Sequence, residues 1–210
     1  MSELELIGLP QSNFVLAVQF MLAEKGLDYR FTPAPPHSPP IVAGHPLGKV
    51  PVLRHGAVLM AESLAIAGYL DRVFPAHPLV PADPVAAARV EQWASIIVTA
   101  IEPALIRAYL FAYLFPGTPD GAPNQERIAA ALPAMQRMLT VLETAVRDGQ
   151  IGAEAFALPD AYLAPILFYL QSLPEAATQL ADCPHLRAYA ARLFARPSGQ
   201  ALLPPPPLAA

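Results

Sequence analysis

The sequence predicts a small α/β domain followed by an all-helical domain, because its patterning changes near residue 75. Before that point short strand-like runs alternate with helix-like runs, and after it apolar residues recur only at helical spacing. The segment 74–81 carries three prolines and has the composition of a stiff interdomain linker. We therefore expect a first domain at 1–76, a linker at 77–84, a helical domain at 85–200 and a proline-rich tail at 201–210.

The first domain reads as strand, helix, strand, connection, strand, strand, helix. Gly26 ends the first helix, and a proline-rich connection at 33–48 with room for a short helix follows the second strand. His55-Gly56 predicts the turn of a hairpin between the last two strands. The expected strands are Leu4–Ile7, Tyr29–Thr32, Val50–Arg54 and Ala57–Met60, and the expected helices begin at Ser12 or Asn13 and at Glu62-Ser63.

The second domain begins with Asp83-Pro84, an N-cap followed by proline at the first helical position. Pro103 lies inside the apolar pattern that follows, so we expect a kink there. Further helices are expected from Asn124 to about Asp148, over the apolar segment Leu158–Leu170, and last from Cys183-Pro184. The four consecutive prolines near the end predict an extended polyproline conformation for Leu202–Ala210.

Composition excludes several classes of protein. Hydrophobic residues make up 54% and charged residues 14%, which argues against disorder, and a net charge of −4 argues against nucleic-acid binding. The lone Cys183 excludes an internal disulfide, and five scattered histidines show no metal-ligand spacing. An N-terminus without a basic run, and no continuous apolar run of about 20 residues, lead us to expect a cytoplasmic protein without a membrane span.

The run Gly48-Lys49-Val50-Pro51 is the first candidate for binding. Proline at the start of a central strand removes a ladder hydrogen bond, and a cis Val50–Pro51 bond would accommodate it. The N–H and C=O of Val50 would then be free to pair with an extended ligand. A proline on an edge strand, with no ligand, is the simpler interpretation.

Two helix starts are the other candidates. At Glu62-Ser63 a helix N-terminus and the Ser63 hydroxyl suit a carboxylate, and Glu62 could accept a hydrogen bond from a ligand amine. At Ser12-Asn13 a hydroxyl could stabilise an anion such as a thiolate, whose pKa falls at a helix N-terminus. Ordinary helix capping uses the same residue types and remains an alternative at both places.

Taken together and in this order, these motifs resemble the glutathione transferase superfamily over nearly the whole chain, in its serine-type, cytosolic and bacterial-like members. HPLGKVPVL is similar to the family pattern N-P-x-G-x-V-P, with His45 in place of the usual Asn, and AESLAIAGYLD is similar to E/D-S-x-A-I-x-x-Y-L. A third segment resembles the family's capping box, with Ala157 in place of Ser or Thr. The matching segments are 22–31, 45–53, 61–71 and 152–167.

The resemblance implies a thioredoxin-like first domain, a helical second domain, a homodimer and a cis bond before Pro51. It also implies glutathione as co-substrate. The γ-glutamyl end would lie at Glu62 and Ser63, the cysteinyl backbone at Val50, and the glycyl end near Lys49 and His37. Ser12 falls on the position that stabilises the thiolate, and Asn13, which stands where the family often has proline, could share that role.

Aromatic residues are dense after Pro103, at Tyr109, Phe111 and Tyr113. They suit either an apolar electrophile pocket between the domains or the domain core, and both interpretations stay open. The leading hypothesis is a glutathione transferase of detoxification, conjugating small apolar electrophiles without a metal, nucleic-acid or membrane partner. The alternatives are a non-catalytic binding or regulatory protein, or another glutathione-dependent enzyme such as an isomerase, dehalogenase or peroxidase.

Overall fold

A computed structural model describes residues 3–203 of the protein. The first third of the chain folds around a mixed four-stranded sheet. The strand order is β2-β1-β3-β4, with β2 parallel to β1 and β3 antiparallel to both β1 and β4. The central β1 is buried along its whole length. The strands are β1 (Leu4–Gly8), β2 (Arg30–Pro33), β3 (Val52–His55) and β4 (Val58–Ala61).

A charged residue in the central strand is balanced by its neighbours. Glu5 is buried, and its carboxylate lies 3.0 Å from Arg30 on β2 and 3.0 Å from Arg54 on β3. The Thr32 hydroxyl donates a further hydrogen bond at 2.6 Å. The register pairs Glu5 with both arginines, so the sheet satisfies this carboxylate.

The predicted order of elements in the first domain is confirmed, with shifts at the strand ends. The third strand begins at Val52 rather than Val50, and the fourth ends at Ala61. The proline-rich connection contains a single short helix. The helices of this domain are α1 (Asn13–Glu24), α2 (Pro39–Val42) and α3 (Ser63–Val73).

The second domain is helical, as predicted, but contains more helices than expected. Asp83 and Asn124 act as N-caps, each accepting a hydrogen bond from the backbone N–H three residues on. The helices are α4 (Pro84–Ile96), α5 (Phe111–Leu114), α6 (Gln125–Arg147), α7 (Leu158–Leu170), α8 (Pro174–Ala181), α9 (Pro184–Ala195) and α10 (Pro197–Leu202).

Two of these helices correct the expectations. No pattern predicted α8, and α10 follows the helix that was expected to be the last. Because α10 includes Leu202, the predicted start of the extended tail at Leu202 is one residue too early. The four prolines themselves lie outside the described residues.

The predicted kink at Pro103 takes a different form. α4 and α5 are joined by two π-helical stretches, Ile97–Ile101 and Pro103–Leu110, so that one helix runs from residue 84 to 114. Proline cannot donate to the preceding turn, and wider turns carry the chain past it without a break.

This 31-residue helix is long and apolar enough to cross a membrane by length and composition alone, contrary to the expectation from continuous apolar runs. Buried core helices meet the same criterion. Here the helix packs against α6 and α7 in the centre of the second domain.

The two domains share one hydrophobic core, in which α1 packs against α7. The predicted linker is held by Lys25, whose Nζ lies 2.7 Å from Asp71 and donates to the carbonyls of Ala76 and His77. Asp71 in turn accepts from the N–H of Leu79. A buried ion pair therefore anchors the linker, a role that the sequence patterns did not indicate for either residue.

Candidate functional site

Ser12 is the N-cap of α1. Its Oγ accepts a hydrogen bond from the N–H of Val15 at 3.4 Å, so the hydroxyl proton points elsewhere. Within residues 3–203 that proton has no acceptor. The side chain is half-buried, and it therefore offers a donor at the positive end of the α1 dipole.

Val50 lies against the first turn of α1. A Cβ on Gly8 would come 2.5 Å from Val15 and 3.4 Å from the Cβ of Val50, so only glycine lets these segments meet. The Val50–Pro51 bond is cis, as predicted. Val50 precedes β3, and across the described part of the chain its N–H and C=O take part in no hydrogen bond. Its backbone is therefore available to an extended ligand.

Ser63 begins α3 and is linked to the start of α1 through one aromatic pair. The hydroxyl of Tyr162 donates to Ser63 Oγ at 3.2 Å, and the Tyr162 ring packs edge-on against Phe14 with centroids 6.3 Å apart. Burial raises the pKa of Tyr162, which keeps this hydroxyl protonated as a donor. Ser63 is itself buried, and its own proton remains to be donated.

Glu62 precedes α3 with a φ of 65°, a conformation that L-residues seldom adopt. Its carboxylate lies 3.3 Å from Nε2 of the buried His45. His45 Nδ1 accepts a hydrogen bond from the N–H of Leu47 at 3.1 Å, which turns Nε2 of the ring toward Glu62. Since the Glu62 side chain is 69% exposed, it can also meet a ligand amine.

His37 and Lys49 lie together at the outer edge of this group. The N–H of His37 donates to the carbonyl of Gly48 at 2.8 Å. A Cβ on Gly48 would come 2.3 Å from His37 Nδ1, so the imidazole lies directly over that glycine, next to Lys49. Both side chains are exposed, and the ammonium group of Lys49 suits an anionic end of a ligand.

Asn13 turns away from Ser12 and contacts the second domain. Its Nδ2 donates to Oε1 of Glu102 at 3.3 Å, and Nε of Arg107 donates to Oε2 at 3.3 Å. Glu102 is 2% exposed, and burial raises the pKa of its carboxyl, an effect that the charge of Arg107 and the hydrogen bond from Asn13 partly offset.

Neither Glu102 nor Arg107 was among the predicted site residues. A usable signal existed, since Glu102 is a lone carboxylate inside an apolar run of the longest helix. Such a residue needs partners, and one of its two partners, Asn13, belongs to the other domain.

The aromatic segment divides between two faces of its helix. Tyr109 is fully buried, and its hydroxyl donates to Glu175 at 2.7 Å, as does the hydroxyl of Tyr113 to the same oxygen. Tyr109 therefore occupies the core, one of the two alternatives. Phe111 faces differently and lies under the guanidinium of Arg107, 5.8 Å from the ring centroid.

Ser12, Val50 and Ser63 are thus connected to the first turn of α1, whereas Phe111 is linked to it through Arg107 and Glu102. Among residues 3–203, no group of three or more His, Cys, Asp or Glu side chains is placed to hold a metal ion.

Comparison with known proteins agrees with this arrangement. A family model described as "Glutathione S-transferase, N-terminal domain" matches residues 6–78, and one described as "Glutathione S-transferase, C-terminal domain" matches residues 97–197. Glutathione S-transferase 3 of Zea mays is 29% identical over 99% of this chain and 98% of its own.

Solved structures extend the match to three dimensions. Glutathione S-transferase III in its apo form is 31% identical, with a TM-score of 0.83 over 98% of this chain and 100% of its own. Glutathione S-transferase-I bound with lactoylglutathione is 25% identical, with a TM-score of 0.82 over 96% of this chain and 98% of its own. With both domains, their order and their fold matched, this chain belongs to the glutathione S-transferase family.

Proposed function

We propose that this protein is a glutathione transferase that joins the sulfur of glutathione to a small electrophile. The observation that carries the proposal is the Ser12 hydroxyl, a donor without an acceptor in the described chain, at the N-terminus of α1 and beside the open backbone of Val50. A solved relative, glutathione S-transferase-I, is described as bound with lactoylglutathione. The ligand of that relative supports a glutathione derivative as the molecule that fits here.

Glutathione would extend along the first domain. Its γ-glutamyl carboxylate would meet Ser63 and the N-terminus of α3, where the helix dipole favours an anion, and its amine would meet Glu62. The cysteinyl N–H and C=O would pair with Val50. The glycyl carboxylate would lie near Lys49 and His37.

The sulfur would then lie at Ser12. The thiol loses its proton to solvent, and the thiolate accepts a hydrogen bond from the Ser12 hydroxyl, which with the helix dipole lowers the thiol pKa. The thiolate attacks the electrophilic carbon, a carbon–sulfur bond forms, and a leaving group departs with its electron pair. Holding both molecules side by side supplies most of the remaining rate enhancement.

We assign the thiolate contact to Ser12 rather than Asn13. Asn13 already donates to the buried Glu102, which holds its side chain toward the second domain. Ser12 has a proton to give and keeps its capping bond to Val15 while giving it.

The proposal includes a homodimer formed by β4, α3 and α4. Of the 13 residues of α4 only Ala94 is buried, although the helix carries several apolar side chains. Exposed apolar residues cluster on the same three elements, which favours their burial against a second copy. These residues are Val58, Leu59, Leu64, Val73 and Val85, each between 37% and 60% exposed. Light scattering coupled to size exclusion should give twice the mass of the 22.4 kDa chain.

Thermal unfolding with and without glutathione tests the binding step. A ligand at 100 times its dissociation constant stabilises the folded state by roughly 2.7 kcal/mol, which should raise the midpoint by about 5 °C or more. Ser63→Ala should reduce the rise, and Arg137→Gln, an exposed position on α6, should leave it unchanged.

Turnover of chlorodinitrobenzene in the same samples tests the chemistry. A raised midpoint with turnover supports the transferase. A raised midpoint without turnover of any electrophile would indicate a glutathione-binding protein of another kind, and no rise at saturating glutathione would overturn the proposal.

A further inference from the structure

Arg107 makes two contacts within the protein and leaves its terminal nitrogens accessible. Its Nε donates to Glu102, and its guanidinium lies over the Phe111 ring. The side chain is 53% exposed, and nothing in residues 3–203 accepts a hydrogen bond from its two terminal nitrogens. A guanidinium fixed in this way presents a preformed fork, the geometry that binds a carboxylate through two parallel hydrogen bonds.

The guanidinium of Arg107 is connected to the proposed position of the glutathione sulfur through one side chain. Glu102 uses one oxygen for Arg107 and the other for Asn13, and Asn13 directly follows Ser12 in the chain. A single carboxylate group therefore separates the guanidinium from the start of α1. A small molecule whose reactive carbon meets the sulfur at Ser12 could reach Arg107 with its far end.

The residues around Arg107 indicate the shape and polarity of the rest of that molecule. Phe111 packs edge-on against Phe115 with centroids 5.0 Å apart, and Phe115 is 62% exposed, which leaves an aromatic wall beside the guanidinium. Glu102 is the acidic group that faces Arg107, and its two oxygens are already engaged by Arg107 Nε and Asn13 Nδ2. A flat apolar body with one carboxylate matches these contacts.

We propose that Arg107 binds a carboxylate of the second substrate, so that the preferred electrophile is a planar, apolar molecule bearing one carboxylate. This inference rests on the proposed transferase function and names the substrate class for it. The expected second substrate is then an anionic electrophile rather than a purely apolar one.

A matched pair of substrates tests it. A chlorodinitrobenzoate and its methyl ester undergo the same reaction with glutathione, in which the thiolate displaces chloride from the ring, and they differ in the charge of one group. Each enzymatic rate is divided by the uncatalysed rate to correct for intrinsic reactivity. We expect the acid to be favoured in kcat/KM by about tenfold, and Arg107→Gln to remove that preference.

Controls separate binding of the carboxylate from a structural role. Arg137→Gln makes the same charge change on the exposed face of α6 and should leave both rates unchanged. Arg107→Lys keeps the charge but loses the fork, and it should restore only part of the preference. An equal loss for acid and ester in Arg107→Gln, or no preference in the parent protein, would overturn the inference while leaving the transferase in place.

Binding measured without turnover keeps the two proposals distinguishable. Calorimetric titration of unreactive dinitrobenzoate into the glutathione-saturated protein should give a dissociation constant about tenfold lower than titration into Arg107→Gln. Equal constants would refute the role of Arg107 whether or not either electrophile is turned over.

Discussion

The two halves of the site are built in different ways. In the first domain, Ser12, Val50 and Ser63 offer groups whose positions follow from helix starts and from a backbone segment outside the sheet. In the second domain, Arg107 and Phe111 are side chains in the middle of one long helix. Local sequence motifs indicate the position of the first kind of site. The position of the second kind depends on how the helix is oriented in the fold.

The periodicity of that helix explains why its aromatic residues lie on two different faces. Residues four apart share a face, so Tyr109 pairs with Tyr113 and Arg107 pairs with Phe111. The two pairs are offset by two residues and point in different directions. One pair reaches Glu175 at α8, and the other lies beside Glu102, whose second oxygen accepts from Asn13. A dense aromatic segment in sequence therefore places Tyr109 and Tyr113 on one face of the helix and Phe111 on a different one.

The largest expected effect is that of Ser12→Ala. Loss of the hydroxyl donor should raise the pKa of bound glutathione and lower kcat/KM at neutral pH by about 100-fold, the usual effect of removing one donor to a developing anion. A pH–rate profile and an ultraviolet titration of the bound thiol would measure both. Because Ser12 also caps α1, circular dichroism must show that the variant folds.

Asn13→Ala provides the comparison for this change. It removes the contact to Glu102 but leaves the hydroxyl of Ser12 in place. We expect a smaller loss of rate and an unshifted thiol pKa. If Asn13→Ala shifts the thiol pKa more than Ser12→Ala does, the thiolate contact belongs to Asn13.

A smaller effect should separate the two aromatic faces. Phe111→Ala should raise the KM for an aromatic electrophile by about tenfold, since burying part of a phenyl ring contributes on the order of 1–2 kcal/mol. Tyr113→Phe keeps the ring, loses only the hydrogen bond to Glu175 and should leave KM unchanged. Steady-state kinetics with glutathione held at saturation would measure both, and equal effects would place the pocket on both faces.

Most of the fold could be predicted because its signals are local. Asp83-Pro84 and Asn124 mark helix starts, and His55-Gly56 marks a hairpin. α8 and α10 escaped because each is only six to eight residues long and begins at a proline that also suits a turn. The π-helical passage at Pro103 could not be foreseen, since whether a proline breaks or widens a helix depends on what packs around it.

The site was predictable in the same uneven way. The helix starts at Ser12 and Ser63 and the Val50–Pro51 bond could be located from motifs. The contact of Asn13 with Glu102 joins residues 89 positions apart, and no local pattern encodes it. Tertiary packing selects such partners, so they become visible only once the two domains are placed together.

A contact remote from both halves tests how strongly the domains depend on each other. Glu24, at the end of α1, accepts hydrogen bonds from Arg196 and Ser198 at 2.5–2.8 Å, where α9 meets α10. Burial opposes ionisation, but these hydrogen bonds and the charge of Arg196 lower the pKa of the Glu24 carboxyl. A carboxyl with a lowered folded-state pKa stabilises the fold above its ordinary pKa, and this contribution is lost as the pH falls through the lowered value.

Glu24→Gln should therefore lower the free energy of unfolding by about 1 kcal/mol at pH 7, the smallest of these effects. The difference in unfolding free energy between parent and variant should shrink as the pH falls below about 4. In that range the Glu24 carboxyl is protonated first in the unfolded chain, where its pKa is higher, and this favours unfolding of the parent. Urea unfolding at several pH values measures this difference. Asp148→Asn removes the exposed pair with Arg147 and should change little at any pH, because exposed pairs are screened by solvent. A pH-independent loss in Glu24→Gln would mean that this contact between the domains acts through packing rather than through charge.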